Sequence, residues 1–265
     1  MRITVFTSNQ PRHLSLINDL SKIAGEVYAV IESNTVFPGQ IADFFKRTEI
    51  MQLYFKRVIE AEKKVFGTIN FLPDNVRPMI IKMGDLNMLD MKVLQPALSS
   101  DLYIVFGSSF IKGELIEFLV QNKAYNIHMG ISPYYRGDSC NFWAAYDSNF
   151  HMVGATIHML SKGLDSGDML FHAAPKIFDD KFLFGMKAVK CAHIGMVESI
   201  KNNELTSFIP VKQDRKYETR YSKNIHFTDE VALEFLNRQV NATEVQEKLN
   251  SIETNNYINL KQYAV

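Results

Sequence analysis

Short apolar runs alternate with helical patterns along most of this chain. Residues 2–7 alternate between apolar and polar positions and are rich in β-branched side chains, which is typical of a strand. After a polar turn, apolar side chains recur at helical spacing from Leu14 to Ile23, and a second strand is predicted at residues 27–31. Two strands joined through a helix form a βαβ unit, and its crossover requires a parallel sheet that helices cover.

The same alternation resumes in the middle of the chain. The predicted elements are, in order, a strand at 102–106, a helix at 115–120, a strand at 125–128, a helix near 141–146, strands at 153–160 and 169–173, and a long helix near 180–203. We therefore expect an α/β fold with a Rossmann-like, open and mostly parallel sheet and helices on both of its faces.

Two stretches depart from this alternation. Residues 34–90 contain a helical stripe from Met51 to Val65, and we interpret them as a helical insertion that packs on the sheet rather than a lid over substrate. Residues 204–265 are more polar and suggest two short helices. The predicted organisation is a large domain over 1–203, which includes the insertion, and a small C-terminal appendage over 204–265.

The composition excludes several classes of protein. The chain has 265 residues, of which 46% are hydrophobic and 22% charged, as expected for a globular protein rather than a disordered one. Lys+Arg and Asp+Glu number 29 each, so the chain lacks the excess positive charge typical of nucleic-acid binding. The two cysteines and the absence of a long apolar run near Met1 favour a reduced, cytoplasmic location and no membrane partner.

Polar side chains that are costly to bury concentrate at the end of the predicted strand 125–128 and in two loops. Because side chains alternate on a strand, Asn126 and His128 project from the same side. The loop 161–168 follows the next strand and places Asp165 between glycines. Ligands of open parallel sheets bind beyond the carboxyl ends of the strands, so we expect these three side chains to face one pocket.

An amide, an imidazole and a carboxylate together suit acyl transfer. The Asn126 N–H groups and a protonated His128 would stabilise the negative oxygen of a tetrahedral intermediate. The Asp165 carboxylate would raise the pKa of the imidazole and relay the proton of an attacking amine. An Asn-x-His pair on a strand is by itself more often structural than catalytic, so the surrounding sequence must decide.

Two stretches resemble the formyltransferase family, which includes methionyl-tRNA formyltransferase, glycinamide ribonucleotide transformylase and the sugar N-formyltransferases. They are residues 126–137, reading NIHMGISPYYRG, and residues 164–170, reading LDSGDML; the resemblance covers roughly residues 102–173. It implies a formyltransferase catalytic domain in which Asn126, His128 and Asp165 are the catalytic residues, 10-formyltetrahydrofolate is the donor, and no metal takes part. It also implies that the donor pocket is lined by Ser109, Phe110, Ile111, Lys112 and Gly163.

The chain departs from the family pattern in ways that bear on the acceptor. Met129 stands where many members carry proline, and residues 204–265 do not look like the larger barrel domain of the tRNA-formylating members. We therefore expect a small-molecule amine, with the amino sugar of a nucleotide-linked sugar as the leading hypothesis, and no nucleic-acid partner. Helix N-termini receive phosphates, which makes the first strand-to-helix turn a candidate site, although an ordinary polar turn is equally favoured. The candidate substrate-binding residues are Ser8, Asn9, Arg12 and Arg136.

Other functions stay open at this point. They are a methionyl-tRNA formyltransferase-like enzyme, a formyltetrahydrofolate deformylase, and a folate- or nucleotide-binding protein without turnover. A thiol hydrolase is a further alternative, with Cys140 as nucleophile and His128 as base. A homodimer is also considered. No zinc site is expected, because the remaining histidines lack metal-ligand spacing: His151, His158, His172, His193 and His226.

Overall fold

The computed structural model describes residues 1–33, 47–69 and 71–265, and within them an eight-stranded sheet forms the centre of the molecule. Its strands are β1 (Arg2–Ser8), β2 (Glu26–Ser33), β3 (Val76–Lys82), β4 (Leu102–Val105), β5 (Tyr125–His128), β7 (Ala155–Met159), β8 (Met169–Pro175) and β10 (Lys261–Tyr263). The short strands β6 (Tyr135–Gly137) and β9 (Arg220–Ser222) pair separately.

The sheet order is β10-β8-β7-β5-β4-β1-β2-β3. All neighbouring strands run parallel except that β7 is antiparallel to both β5 and β8. The predicted α/β fold with a mostly parallel sheet is therefore confirmed.

Helices connect the strands and cover the sheet. They are α1 (Pro11–Ser21), α2 (Glu49–Phe66), α3 (Met91–Leu94), α4 (Gly113–Gln121), α5 (Cys140–Tyr146), α6 (Lys181–Lys201), α7 (Asp229–Asn237) and α8 (Ala242–Asn250). No helix in these described ranges is long and apolar enough to cross a membrane.

Alternation along the strands places apolar side chains on both faces of the sheet. Ile3 and Val5 of β1 pack in one core with side chains of α1 and α6. Phe6, their neighbour in sequence, packs in a second core with Leu115 and Leu119 of α4. Helices thus cover both faces, because each face buries its own set of apolar positions.

The stretch 34–90 contains more than the predicted helical insertion. Residues 34–46 and residue 70 lie outside the described residues. In the remainder, α2 packs against α1 and α6, and β3 pairs in parallel with β2 at the edge of the main sheet. The stretch therefore contributes a strand to the sheet, which the helical stripe did not indicate.

The C-terminal stretch, predicted to be a small appendage, contributes a strand to each of the two sheets. Its strand β10 pairs with β8 at the other edge of the main sheet, and β9 pairs with β6, which lies at the end of the stretch 126–137. Each of these strands has three residues, which is too short for an alternating pattern to be visible in sequence.

Candidate active site

The predicted catalytic residues come from β5 and from the loop between β7 and β8. Asn126 and His128 lie on the same side of β5, and they are only 9% and 8% exposed. Asp165 has a φ of +43°, an uncommon conformation for a residue other than glycine. The Gln213 amide donates to the Asp165 backbone oxygen at 2.8 Å and so helps to hold this loop in place.

The structure brings the three side chains into direct contact. His128 Nδ1 lies 3.2 Å from Asp165 Oδ2. Asn126 Nδ2 donates to the other carboxylate oxygen, Oδ1, at 2.9 Å. Both oxygens of Asp165 thus contact the two residues on β5, although the three positions are far apart in sequence.

The contact between His128 and Asp165 favours an ion pair. Burial by itself would lower the pKa of His128, but the nearby Asp165 carboxylate and Cys140 raise it, and the result is a pKa well above the ordinary value. Burial by itself would raise the pKa of Asp165, but the charge and the hydrogen bond of His128 lower it below its ordinary range. At neutral pH we expect an imidazolium beside a carboxylate.

His158 joins this group, and the sequence analysis gave it no role. Its Nδ1 lies 2.8 Å from the Met159 backbone oxygen, which can only accept, so Nδ1 carries the proton and Nε2 is an acceptor. Nε2 lies 2.9 Å from Asn126 Nδ2. Both amide protons of Asn126 are therefore directed at His158 and Asp165, and one must be released before Asn126 can donate to a substrate oxygen.

Strand pairing explains why His158 was missed. Asn126 and His158 are partners across the antiparallel pair β5 and β7. Directly opposite side chains project from the same face of a sheet, so this register places the imidazole beside the amide. The orientation of β7 was not visible in its apolar pattern; had it been, His158 would have qualified as a candidate.

A cavity of about 450 Å³ adjoins the three predicted catalytic residues, all of which line it. Four of the five predicted donor-pocket residues also line it: Ser109, Phe110, Ile111 and Gly163. Lys112 does not. It is exposed at the start of α4, where its backbone N–H donates to Asn87 Oδ1 at 2.7 Å.

The wall of this cavity formed by residues 107–111 is anchored from two sides. The fully buried Glu32 carboxylate accepts the Ser109 N–H at 2.5 Å, the Ser109 hydroxyl at 2.8 Å and the Gly84 N–H at 2.9 Å. Gly107 has a φ of +68°, and a Cβ there would lie 2.5 Å from His13 Nε2. Any other side chain at this position would therefore strain the backbone and collide with His13.

The predicted substrate-binding residues are mostly engaged elsewhere. Of the four, only Arg12 lines the cavity. The Ser8 hydroxyl donates to the Glu32 backbone oxygen at 3.1 Å, and Asn9 Nδ2 lies 3.4 Å from the Ser33 hydroxyl. Arg136 is buried in β6 and donates to Glu218 at 3.2 Å, so the structure does not bring it to the cavity.

Cys140 lies on the far side of the His128 ring. Its Sγ is 3.6 Å from His128 Nε2, and its thiol donates to the Gly137 backbone oxygen at 3.2 Å. Because the thiol proton is directed at the Gly137 backbone oxygen, the sulfur can only accept a hydrogen bond from the His128 imidazolium. A nucleophilic thiol would instead give its proton to His128 acting as the base. A second cavity of about 340 Å³ opens here, lined in part by His128, Met129 and Cys140.

Among the residues that the structure describes, no group of three or more His, Cys, Asp or Glu side chains is arranged to hold a metal ion. The side chains around the larger cavity instead provide N–H donors, one carboxylate and apolar walls.

Part of the chain is similar in sequence to a known family. Residues 88–193 match the family model described as formyl transferase. The methionyl-tRNA formyltransferase of Prochlorococcus marinus subsp. pastoris is 25% identical over 190 residues, which are 69% of this chain and 54% of that protein. The chain thus spans about half the length, or less, of the curated relatives it matches.

Two solved structures share the fold. A sugar N-formyltransferase from Shewanella sp FDAARGOS_354 aligns with a TM-score of 0.54 and 16% identity over 89% of this chain and 87% of that one. Glycinamide ribonucleotide transformylase 1 from Symbiobacterium toebii aligns with a TM-score of 0.51 and 16% identity, over 81% of this chain and 94% of that one. The part of the chain that matches the formyl transferase family, residues 88–193, contains both strand β5 and the Asp165 loop.

Proposed function

We propose that this protein transfers the formyl group of 10-formyltetrahydrofolate to an amine. One observation carries the proposal: Asn126 and His128 both contact Asp165 at the wall of a cavity of about 450 Å³. A volume of this size is typical of small-molecule sites. Apolar side chains such as Val105 and Ile116 would contact the flat pterin ring, and the polar trio would face the formyl carbon.

In this reaction the amine nitrogen forms a bond to the formyl carbon, and the carbonyl oxygen takes up negative charge. The His128 imidazolium and an Asn126 N–H stabilise that oxygen. Asp165 keeps His128 protonated and provides an acceptor for the proton that the amine loses. The carbonyl then re-forms, the bond from the formyl carbon to the folate nitrogen breaks, and that nitrogen takes the proton that Asp165 received from the amine, so atoms and charge balance.

The acceptor that we favour is a small-molecule amine, the amino sugar of a nucleotide-linked sugar. The equal numbers of Lys+Arg and Asp+Glu, 29 each, argue against a long nucleic acid. Fold alignment covers 89% of this chain and 87% of a sugar N-formyltransferase, whereas the sequence match to a methionyl-tRNA formyltransferase covers 69% of this chain and 54% of that protein. This is an analogy of fold. The second cavity beside His128 offers the amine a route to the donor.

A panel of acceptors tests the proposal. The protein is incubated with 10-formyltetrahydrofolate and with nucleotide-linked amino sugars, other small amines or initiator tRNA, and the mass gain of one formyl group is measured. Formate release without any amine would identify a deformylase instead. Donor binding without transfer to any acceptor and without formate release would leave a binding protein and refute the enzyme. The cytoplasmic location and the homodimer stay predictions.

A further inference from the structure

The N-terminus of α1 already holds an anion supplied by the chain itself. Glu62, from α2, places Oε1 3.1 Å from the Arg12 backbone nitrogen and 2.8 Å from Arg12 Nη1, and both nitrogens donate to it. This is the turn for which the sequence favoured a phosphate site and an ordinary polar turn equally. A helix N-terminus attracts negative charge, and here a buried carboxylate from a helix fifty residues away provides it.

The other donors of this turn are also used. Pro11 has no backbone N–H, and the His13 N–H donates to the Gln10 backbone oxygen at 2.9 Å. The second arm of the Arg12 guanidinium donates to Gln10 Oε1 at 2.6 Å. The turn therefore keeps little capacity for a further anion.

His13, which lines the cavity next to this pair, adds no compensating charge. Burial is the largest cause that lowers the pKa of His13 well below its ordinary value, and the charges of the neighbouring Arg12 and His193 lower it further. The imidazole is therefore neutral at physiological pH, and the charges at the turn are those of Arg12 and Glu62, which cancel.

Glu62 is held firmly in this position. It is 5% exposed, and α2 packs against α1, α6 and α7. An anion that bound the Arg12 N–H would need the space of the Glu62 carboxylate and would meet its negative charge. Since like charges in contact at a binding surface disfavour association, the buried carboxylate acts as a barrier.

We propose that Glu62 is a specificity-determining residue that excludes phosphate from the N-terminus of α1. An acceptor that must place a phosphate at this turn is then rejected, and a nucleotide-linked acceptor must keep its phosphates elsewhere. This inference goes beyond the proposed formyl transfer and does not depend on it.

Inorganic phosphate is the probe for the test. Its binding to the wild type, Glu62→Gln and Glu60→Gln is measured by calorimetry at constant ionic strength. Glu60 is exposed on the same helix, so its variant carries the same charge change without altering the turn. We expect Glu62→Gln to bind phosphate roughly tenfold or more tighter than the wild type. The control variant should match the wild type.

A second variant locates the new site. In Arg12→Gln/Glu62→Gln the gained affinity should disappear, because the cation that receives the phosphate is gone. Equal phosphate affinity in the wild type and in Glu62→Gln would overturn the proposal, as would a gain that persists in the double variant.

The wild type provides an independent test if the variants fail to fold. Hydrogen exchange of the amides of residues 12–14 should not respond to phosphate, and protection of these amides by phosphate would overturn the proposal. None of these measurements uses turnover, so their outcome is independent of whether formyl transfer occurs.

Discussion

The substitution Asp165→Asn removes one charge from the centre of the candidate site and preserves its shape. Asparagine tolerates the left-handed conformation that Asp165 adopts at a φ of +43°, so the loop should keep its backbone. The new side-chain oxygen can still accept from Asn126, and the new amide can donate to Nδ1 of a neutral His128. The substitution therefore removes the charge of the carboxylate while it leaves the packing of the side chain unchanged.

The size of the effect follows from the geometry. A unit charge pair separated by the 3.2 Å between His128 Nδ1 and Asp165 Oδ2 interacts with about 5 kcal/mol at an effective dielectric constant near 20. Without the carboxylate, burial dominates, so the pKa of His128 should fall and the ring should be neutral at physiological pH. Losing one charged donor to the oxyanion then lowers kcat/KM by roughly 100- to 1,000-fold.

The assay is the pH dependence of formyl transfer. In the wild type, kcat/KM should fall on the alkaline side as His128 loses its proton, and the raised pKa of His128 places this limb above its ordinary value of about 6.5. In Asp165→Asn the limb should move to lower pH. Asp168→Asn, three residues further along the same loop, is the matched control and should leave the profile in place.

Stability should change with pH in a related way. His128 has a raised pKa in the folded state, so its contribution is fully present below the unfolded value of about 6.5 and is lost as pH rises through the folded pKa. Asp165 has a lowered pKa, so its contribution is present above its unfolded value and is lost as pH falls. Urea unfolding across this range should show both losses in the wild type. In Asp165→Asn the alkaline loss should be absent, because His128 is then already neutral in the folded state.

One result would refute the reasoning about this pair. If Asp165→Asn kept kcat/KM near the wild-type value with the alkaline limb unmoved, the carboxylate would not be what holds His128 in its protonated form.

Three further substitutions test other parts of the site. His158→Phe removes the acceptor that orients the Asn126 amide, so we expect kcat to fall by roughly tenfold to a hundredfold with little change in donor KM; a wild-type kcat would contradict a positioning role. Cys140→Ser should keep turnover within about tenfold, because the thiol is not the nucleophile, whereas a thiol hydrolase would lose its activity. Gly107→Ala should lower the free energy of unfolding by about 1–3 kcal/mol in urea titrations. Gly113→Ala has a similar φ of +64° and free space around it, so an equal loss there would show that backbone strain alone explains the effect.

The local elements of this protein could be predicted from the order of its residues. The predicted strand 125–128 is β5, and the helical stripe from Met51 lies within α2. These predictions succeed because burial on one face of a strand or helix imposes a period on the sequence itself. The same alternation placed Asn126 and His128 on one side of β5, and the ends of parallel strands meet at one edge of the sheet.

Long-range pairing was decided by the tertiary structure. The antiparallel register of β5 and β7 sets His158 opposite Asn126, and no local pattern reveals strand direction. Glu62 contacts Arg12 across fifty residues, so the charge is already neutralised at a turn that the sequence left open to phosphate. Periodicity in the sequence shows which face of a helix or strand is buried. Contacts between residues distant in sequence depend on tertiary packing, which produces no repeating pattern in the chain.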